Sequence, residues 1–190
     1  MDGNSPMTTR AFLFLLASAR PDGNTELLAR HAAAELPPGA TQRWIRLADT
    51  PLDTYADIRH REPPQERIPT GAERLLLDAT LEATDIVIAS PLYWYSLSAA
   101  AKLYLDYWSG WLRVGAPGSF RARMTEKTLW GISVYSGDNP ADADPLLGAL
   151  QKSAEYFPMR WGGLLLGQGN RPADILQDTP TLTRAKTFFS

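Results

Sequence analysis

Residues 12–30 read FLFLLASARPDGNTELLAR, and two readings of this stretch lead to two different proteins. In the first, Arg10, the apolar run Ala11 to Leu16 and the triplet Ala17-Ser18-Ala19 make a secretory signal: basic flank, apolar core, small-x-small cleavage site. In the second, the same run is a buried strand that enters a polar turn and then a helix. The apolar core is short for a signal. Cleavage after Ala19 would also remove a strand and part Ser18 from Arg20. The strand reading is the better one.

Outward from this stretch, apolar runs and helical spacings alternate along the chain. Ala11–Ala17 reads as strand one and Thr25–Leu36 as a helix with Leu27, Leu28, His31, Ala32 and Leu36 along one side, stopped by Pro37-Pro38-Gly39. Trp44–Leu47 is a second strand, followed by a proline-bearing loop over 50–70. Gly71–Glu82 is helical with Leu75, Leu76 and Ala79 inward, and Asp85–Ser90 is a β-branched third strand. Helical spacing over Ser96–Trp108, a strand over Thr128–Tyr135, a helix over Pro145–Tyr156, a strand over Met159–Leu166 and a weak helix over Thr179–Phe189 complete the pass. The strands are continuous apolar runs rather than alternating ones, which marks a parallel sheet covered on both faces. Five strands and five helices predict an α/β domain with a doubly wound sheet of order 2-1-3-4-5, whose crevice lies at the carboxyl ends of strands one and three. Residues 1–9 read as a flexible leader and 10–190 as one domain.

Composition narrows the function. At 190 residues with 44% hydrophobic content, the chain can bury a full core without staples. A net charge of −2 offers no field for nucleic acid or an anionic membrane, and no apolar stretch is long enough for a span. The chain has no cysteine, which removes disulfides and thiolate chemistry and fits a cytoplasmic location. His31 and His60 stand alone, so no metal site is expected.

Two loops carry chemistry. Ser18-Ala19-Arg20-Pro21-Asp22-Gly23-Asn24-Thr25 follows strand one and offers two hydroxyls, an amide, a cation, a flexible glycine and a helix start. That set suits a phosphate. It has neither the Walker pattern nor G-x-G-x-x-G spacing. An ordinary helix cap by Asn24 or Thr25 explains the same residues. Ser90-Pro91-Leu92-Tyr93-Trp94-Tyr95-Ser96-Leu97-Ser98 follows strand three, and its aromatics make a flat wall fit for a planar heterocycle. Packing in the core or at a subunit contact is the competing account.

The succession S-x-R-x-x-G-N-T, S-P-L-Y-W-x-S-x-S and Lys102-x-x-x-Asp106, with Gly162-Gly163 and Gly169-Asn170-Arg171-Pro172 further on, resembles the flavodoxin-like NAD(P)H-dependent FMN reductases. The resemblance implies a flavodoxin-like fold and one FMN per subunit. It implies that Ser18, Arg20, Asn24 and Thr25 hold the FMN phosphate and that Pro91, Leu92, Tyr93, Trp94 and Ser96 line the ribityl chain and ring. Ser136 and Gly137 match the family's third loop, while Asp138 departs from it and places a carboxylate near the flavin. It implies no catalytic side chain, since the cofactor carries the chemistry. NADPH or NADH would reduce the flavin, and a quinone, flavin, azo compound or similar small acceptor would reoxidise it in a ping-pong cycle. A homodimer is implied, with Trp94, Tyr95, Trp108 and Trp111 covering the pocket. A flavodoxin-type electron carrier and a cofactor-less binding module are the competing readings. Weak net charge disfavours the carrier, and the intact first loop disfavours the module. Lys102 and Asp106 read as a surface i, i+4 ion pair.

Overall fold

The computed structural model of the chain describes residues 9–60, 62, 67–116 and 119–190. The expected leader lies outside the described residues except for Thr9. Five strands, β1 (Ala11–Leu16), β2 (Thr41–Arg46), β3 (Asp85–Ala89), β4 (Thr128–Tyr135) and β5 (Arg160–Gln168), form one sheet in the order β2-β1-β3-β4-β5. Every neighbouring pair is parallel, the doubly wound order predicted from the apolar runs.

The central strand shows why those runs are continuous. Phe12, Phe14 and Leu16 of β1 face α1 (Asn24–Ala33) and α6 (Thr179–Ala185). Leu13 and Leu15 face α2 (Gly71–Glu82), α3 (Ala99–Trp111), α4 (Ser119–Thr125) and α5 (Asp144–Tyr156). With both faces covered, no position of β1 can be polar without a buried partner. On the α1 side the Phe14 ring stacks on Trp44 with centroids 4.0 Å apart.

The amino end of the sheet is closed by polar bonds. Arg10 donates to both carboxylate oxygens of Asp85, at 3.2 and 2.7 Å, and to the Phe189 carbonyl at 2.6 Å. The indole of Trp130 and the hydroxyl of Thr84 donate to the same carboxylate, at 2.9 and 2.7 Å. Asp85 is therefore buried without being orphaned. Beside it, Gly162 is the extra residue of a bulge between β4 and β5, where a Cβ would stand 2.3 Å from the Trp130 ring. Gly163 sits at φ 119°, a conformation that favours glycine.

The structure departs from expectation in a few places. β2 starts at Thr41 rather than Trp44, because an edge strand tolerates the exposed Thr41, Gln42 and Arg43. α4 lies in a stretch read as loop; only its Phe120 and Met124 are buried, too few to show a period. α3 begins three residues later than expected because a tight hairpin takes up Tyr93 to Ser96. Leu75, expected inward, is exposed, and Leu76, Leu77, Ala79 and Thr80 form the buried face of α2. Trp108 and Trp111, expected to cover the pocket, are core instead, and the Trp111 indole donates to Glu73 at 3.0 Å. No helix among the described residues is long and apolar enough to cross a membrane.

Candidate functional site

At the carboxyl ends of β1, β3 and β4 lies a cleft of about 180 Å³. Ser18, Arg20, Gly23, Asn24 and Thr25 line one side and Pro91, Leu92 and Tyr93 the other, with Val134, Ser136, Gly169 and Asn170 completing it. Eight of the sequence-predicted residues thus meet around one cavity: Ser18, Arg20, Asn24, Thr25, Pro91, Leu92, Tyr93 and Ser136. Trp94, Ser96 and Gly137 are not among its walls. The Gly137 carbonyl accepts from Gln168 Nε2 at 2.8 Å, and Asp138 is exposed outside the cleft.

The first loop is built to leave donors free. Gly23 stands at the N-cap of α1 and supplies no side-chain cap, so the opening N–H groups of the helix are uncapped. Unlike this end, α3 and α6 are capped by the side chains of Ser98 and Asp178. The helix capping expected as an alternative for Asn24 or Thr25 is not what their side chains do here. A Cβ at Gly23 would come within 3.3 Å of Ser18 Oγ, and that hydroxyl accepts from the Arg20 amide at 3.2 Å. Arg20 forms no ion pair among the described residues, which leaves a cation at the rim. Uncapped amides, a hydroxyl and an unpaired guanidinium make a donor set that fits a phosphate.

Asn24 has a further task. Its Nδ2 donates to the Arg171 carbonyl at 2.9 Å, and its Oδ1 accepts from the Ile175 amide at 3.5 Å. The Asp174 carboxylate accepts from the amides of Asn170 and Arg171, at 3.0 and 2.6 Å, and these bonds hold its carboxyl below the ordinary aspartate range. Residues 169–175 are thereby folded back against the start of α1. Gly169 and Asn170 enter the cleft this way. In the sequence they were only part of a likeness after the last strand, with no local sign that they would reach the loop after the first.

The second loop is tied to the first by a serine that the sequence reading did not place in the site. Ser98 Oγ donates to the Ala17 carbonyl at 2.7 Å, and the Ser98 amide donates to Ser90 Oγ at 2.9 Å. Between them the chain makes a two-residue hairpin, with Tyr93 and Ser96 exchanging backbone bonds at 3.0 and 3.1 Å. The turn residues, Trp94 at φ 49° and Tyr95 at φ 64°, both lie in the left-handed region. Two consecutive positive φ values mark a type I′ turn, a place for Asn-Gly rather than two aromatics. The result is a Trp94 side chain left 93% exposed beside the cleft. An uncommon backbone thus presents aromatic surface beside the cleft.

Comparison with known proteins agrees with this geometry. The model of a family described as NADPH-dependent FMN reductase matches residues 11–144. A Bacillus subtilis (strain 168) relative, YwqN, provisionally named an NAD(P)H-dependent FMN-containing oxidoreductase, is 33% identical over 175 residues, covering 90% of this chain and 91% of its own. Among solved structures, a Trp repressor binding protein from Bacillus subtilis superposes with a TM-score of 0.74 at 25% identity, over 94% of this chain and 97% of that one. An FMN-dependent NADH-azoreductase from Bacillus anthracis, solved in complex with FMN, shares the fold with a TM-score of 0.64 at 14% identity, over 94% and 97% of the two chains.

Proposed function

Because the chain belongs to the NADPH-dependent FMN reductase family, we propose that it holds one FMN in the cleft above β1, β3 and β4 and passes electrons from NAD(P)H to a small acceptor. It is an oxidoreductase enzyme dependent on NAD(P)H and FMN. The acceptor is a quinone, a flavin, an azo compound or a similar planar molecule, reduced in a ping-pong cycle. When bound, FMN supplies the redox chemistry, accepting hydride from the nicotinamide and releasing electrons to the acceptor.

The observation that carries this reading is the meeting of an uncapped helix start and a free Arg20 with an apolar, aromatic wall across one narrow cleft. The first half binds an anion. Ser18, Arg20 and Thr25, with the opening amides of α1, hold the phosphate. The second half orients a ring: Pro91, Leu92 and Tyr93 bound it on one side, and Ser136 closes the floor. Trp94 and Ser96 sit on the adjoining hairpin, Trp94 giving an exposed face on which a nicotinamide or a planar acceptor stacks in turn. No side chain is needed as acid or base. The protein positions two planar partners and keeps their approach ordered.

Tyr93 and Tyr95 leave exposed aromatic surface beside the cleft, and a homodimer that shelters it while leaving the Trp94 face open is part of the proposal. A cytoplasmic site of action is also proposed, in keeping with a chain free of cysteine. The test is direct: the purified protein takes up FMN with the absorption of a bound flavin and oxidises NADH or NADPH when quinone is present. Failure to take up FMN overturns the proposal. Replacing Arg20 by alanine is expected to weaken FMN by about tenfold or more, the worth of one charged hydrogen bond. Unchanged affinity would remove Arg20 from the phosphate site.

A further inference from the structure

Glu26 is a buried acid behind the anion loop and is not among the residues that line the cleft. It is only 1% exposed, at the third residue of α1. Its Oε1 accepts from Arg30 Nε and Nη2, at 3.0 and 2.7 Å. Its Oε2 accepts from Arg46 Nη2 at 2.6 Å and from the backbone amide of Asp22 at 3.1 Å. Arg46, at the end of β2, also reaches the Arg20 carbonyl with Nη1 at 3.4 Å and lies 3.7 Å from Asp49. One carboxylate and one guanidinium therefore grip the loop at Arg20 and Asp22, on either side of Pro21. Asp22 is held there at φ 52°, in the left-handed region.

Charge sharpens the point. A lone buried carboxylate behind a helix N-terminus would compete with a phosphate for the same positive field. Burial raises the Glu26 pKa, but the hydrogen bonds from Arg46, Arg30 and the Asp22 amide outweigh it, and the group is held below the ordinary glutamate value. With Asp49 counted, two arginines balance two carboxylates, so the cluster sets no net negative charge behind the loop it holds.

We infer that Glu26 and Arg46 are a positioning pair that presets the anion-binding loop, so that Ser18, Arg20 and the start of α1 stand ready for a phosphate before it arrives. This rests on the phosphate assignment made above. Neither residue touches the ligand; both act through the backbone of residues 20–22, cutting the ordering that binding would otherwise require.

The experiment compares FMN with riboflavin, the same ring and ribityl chain without the phosphate, by flavin fluorescence titration of the full-length protein. The wild type is expected to prefer FMN by about a hundredfold or more. Arg46→Met is expected to weaken FMN by about tenfold while leaving riboflavin unchanged. Arg46→Lys keeps the charge but cannot span Glu26 and the Arg20 carbonyl together, so it is expected to resemble Arg46→Met. Glu26→Gln should also weaken FMN selectively, and the double variant should be no worse than the weaker single, as for one shared device. Full FMN affinity in Arg46→Lys would show that bare charge suffices and would overturn the positioning role. Equal losses for both flavins would show general damage and overturn it as well. A wild type that binds both flavins equally would instead overturn the phosphate assignment beneath it.

Discussion

Replacing Trp94 by asparagine is expected to make the protein more stable and less active at once. Trp94 holds φ 49° at the first turn position of the Tyr93–Ser96 hairpin. A left-handed conformation costs an ordinary L-residue about 1–2 kcal/mol, and asparagine recovers much of it. Little is lost in return, because Trp94 is 93% exposed and the few per cent it buries are worth roughly 0.4 kcal/mol. The net gain is about 0.5–1 kcal/mol, a rise of roughly 0.3–0.5 M in the urea midpoint of flavin-free protein at an m value of about 2 kcal/mol/M. Removing the ring should meanwhile lower kcat/KM for NAD(P)H by about threefold to tenfold, the worth of one aromatic stacking contact. Trp94→Phe is the control, keeping both the strain and most of the activity. A loss of stability in Trp94→Asn would show that the turn is not strained, and unchanged kcat/KM would show that Trp94 does not serve the reacting face.

Gly162→Ala places a methyl 2.3 Å from the rigid Trp130 ring and should cost about 3 kcal/mol, with a shift in tryptophan emission as the indole leaves Asp85; a drop below about 1 kcal/mol would mean the bulge yields instead. Asn24→Ala releases residues 169–175 from α1 and should cost about 1–2 kcal/mol in denaturant, with weaker FMN binding that Asn24→Asp does not fully restore. Lys127 is 5% exposed and donates to the carbonyls of Leu81 and Ala83, and burial pushes its ammonium down to about 8 from 10.5. Between those values the unfolded chain holds a proton that the folded chain has lost. Stability should therefore rise with pH from about 8 to 10, and Lys127→Met should flatten that rise. Unfolding curves with the same slope in both proteins would refute it.

Much of the fold was legible because its signals are local. β1 announces itself as an unbroken apolar run and β3 and β4 as nearly so, Asp85, Thr128 and Ser133 being their polar residues, since burial on both faces favours apolar side chains. α2 was bounded correctly, yet its inward face was misjudged at Leu75, because a helical stripe is about one residue ambiguous when Leu75, Leu76 and Leu77 stand in a row. The edge of the sheet and the short α4 gave weak signals. Thr41 to Arg43 are exposed and polar and so carry no apolar pattern, and the two buried side chains of α4 do not make a period.

The candidate site divides along a similar line. Most residues that face the cleft come from two contiguous loops, so their chemistry can be read together once a doubly wound sheet brings those loops side by side. What keeps the loops in place was not legible, because each holding residue acts across a long sequence gap. Ser98 reaches Ala17, Asn24 reaches Arg171 and Ile175, and Arg46 reaches Arg20 and Glu26. In isolation each looks like an ordinary loop serine, helix-start amide or surface arginine. The loops themselves are rich in groups that would bond water if left free, so an open chain gains little by ordering them. It is the buried partners that make their order cheap, and those partners are set by topology rather than by neighbours in sequence. The S-x-R-x-x-G-N-T stretch therefore carries the donors of the proposed phosphate site, while Glu26, Arg46 and Ser98, one layer behind it, make the bonds that tie its backbone in place.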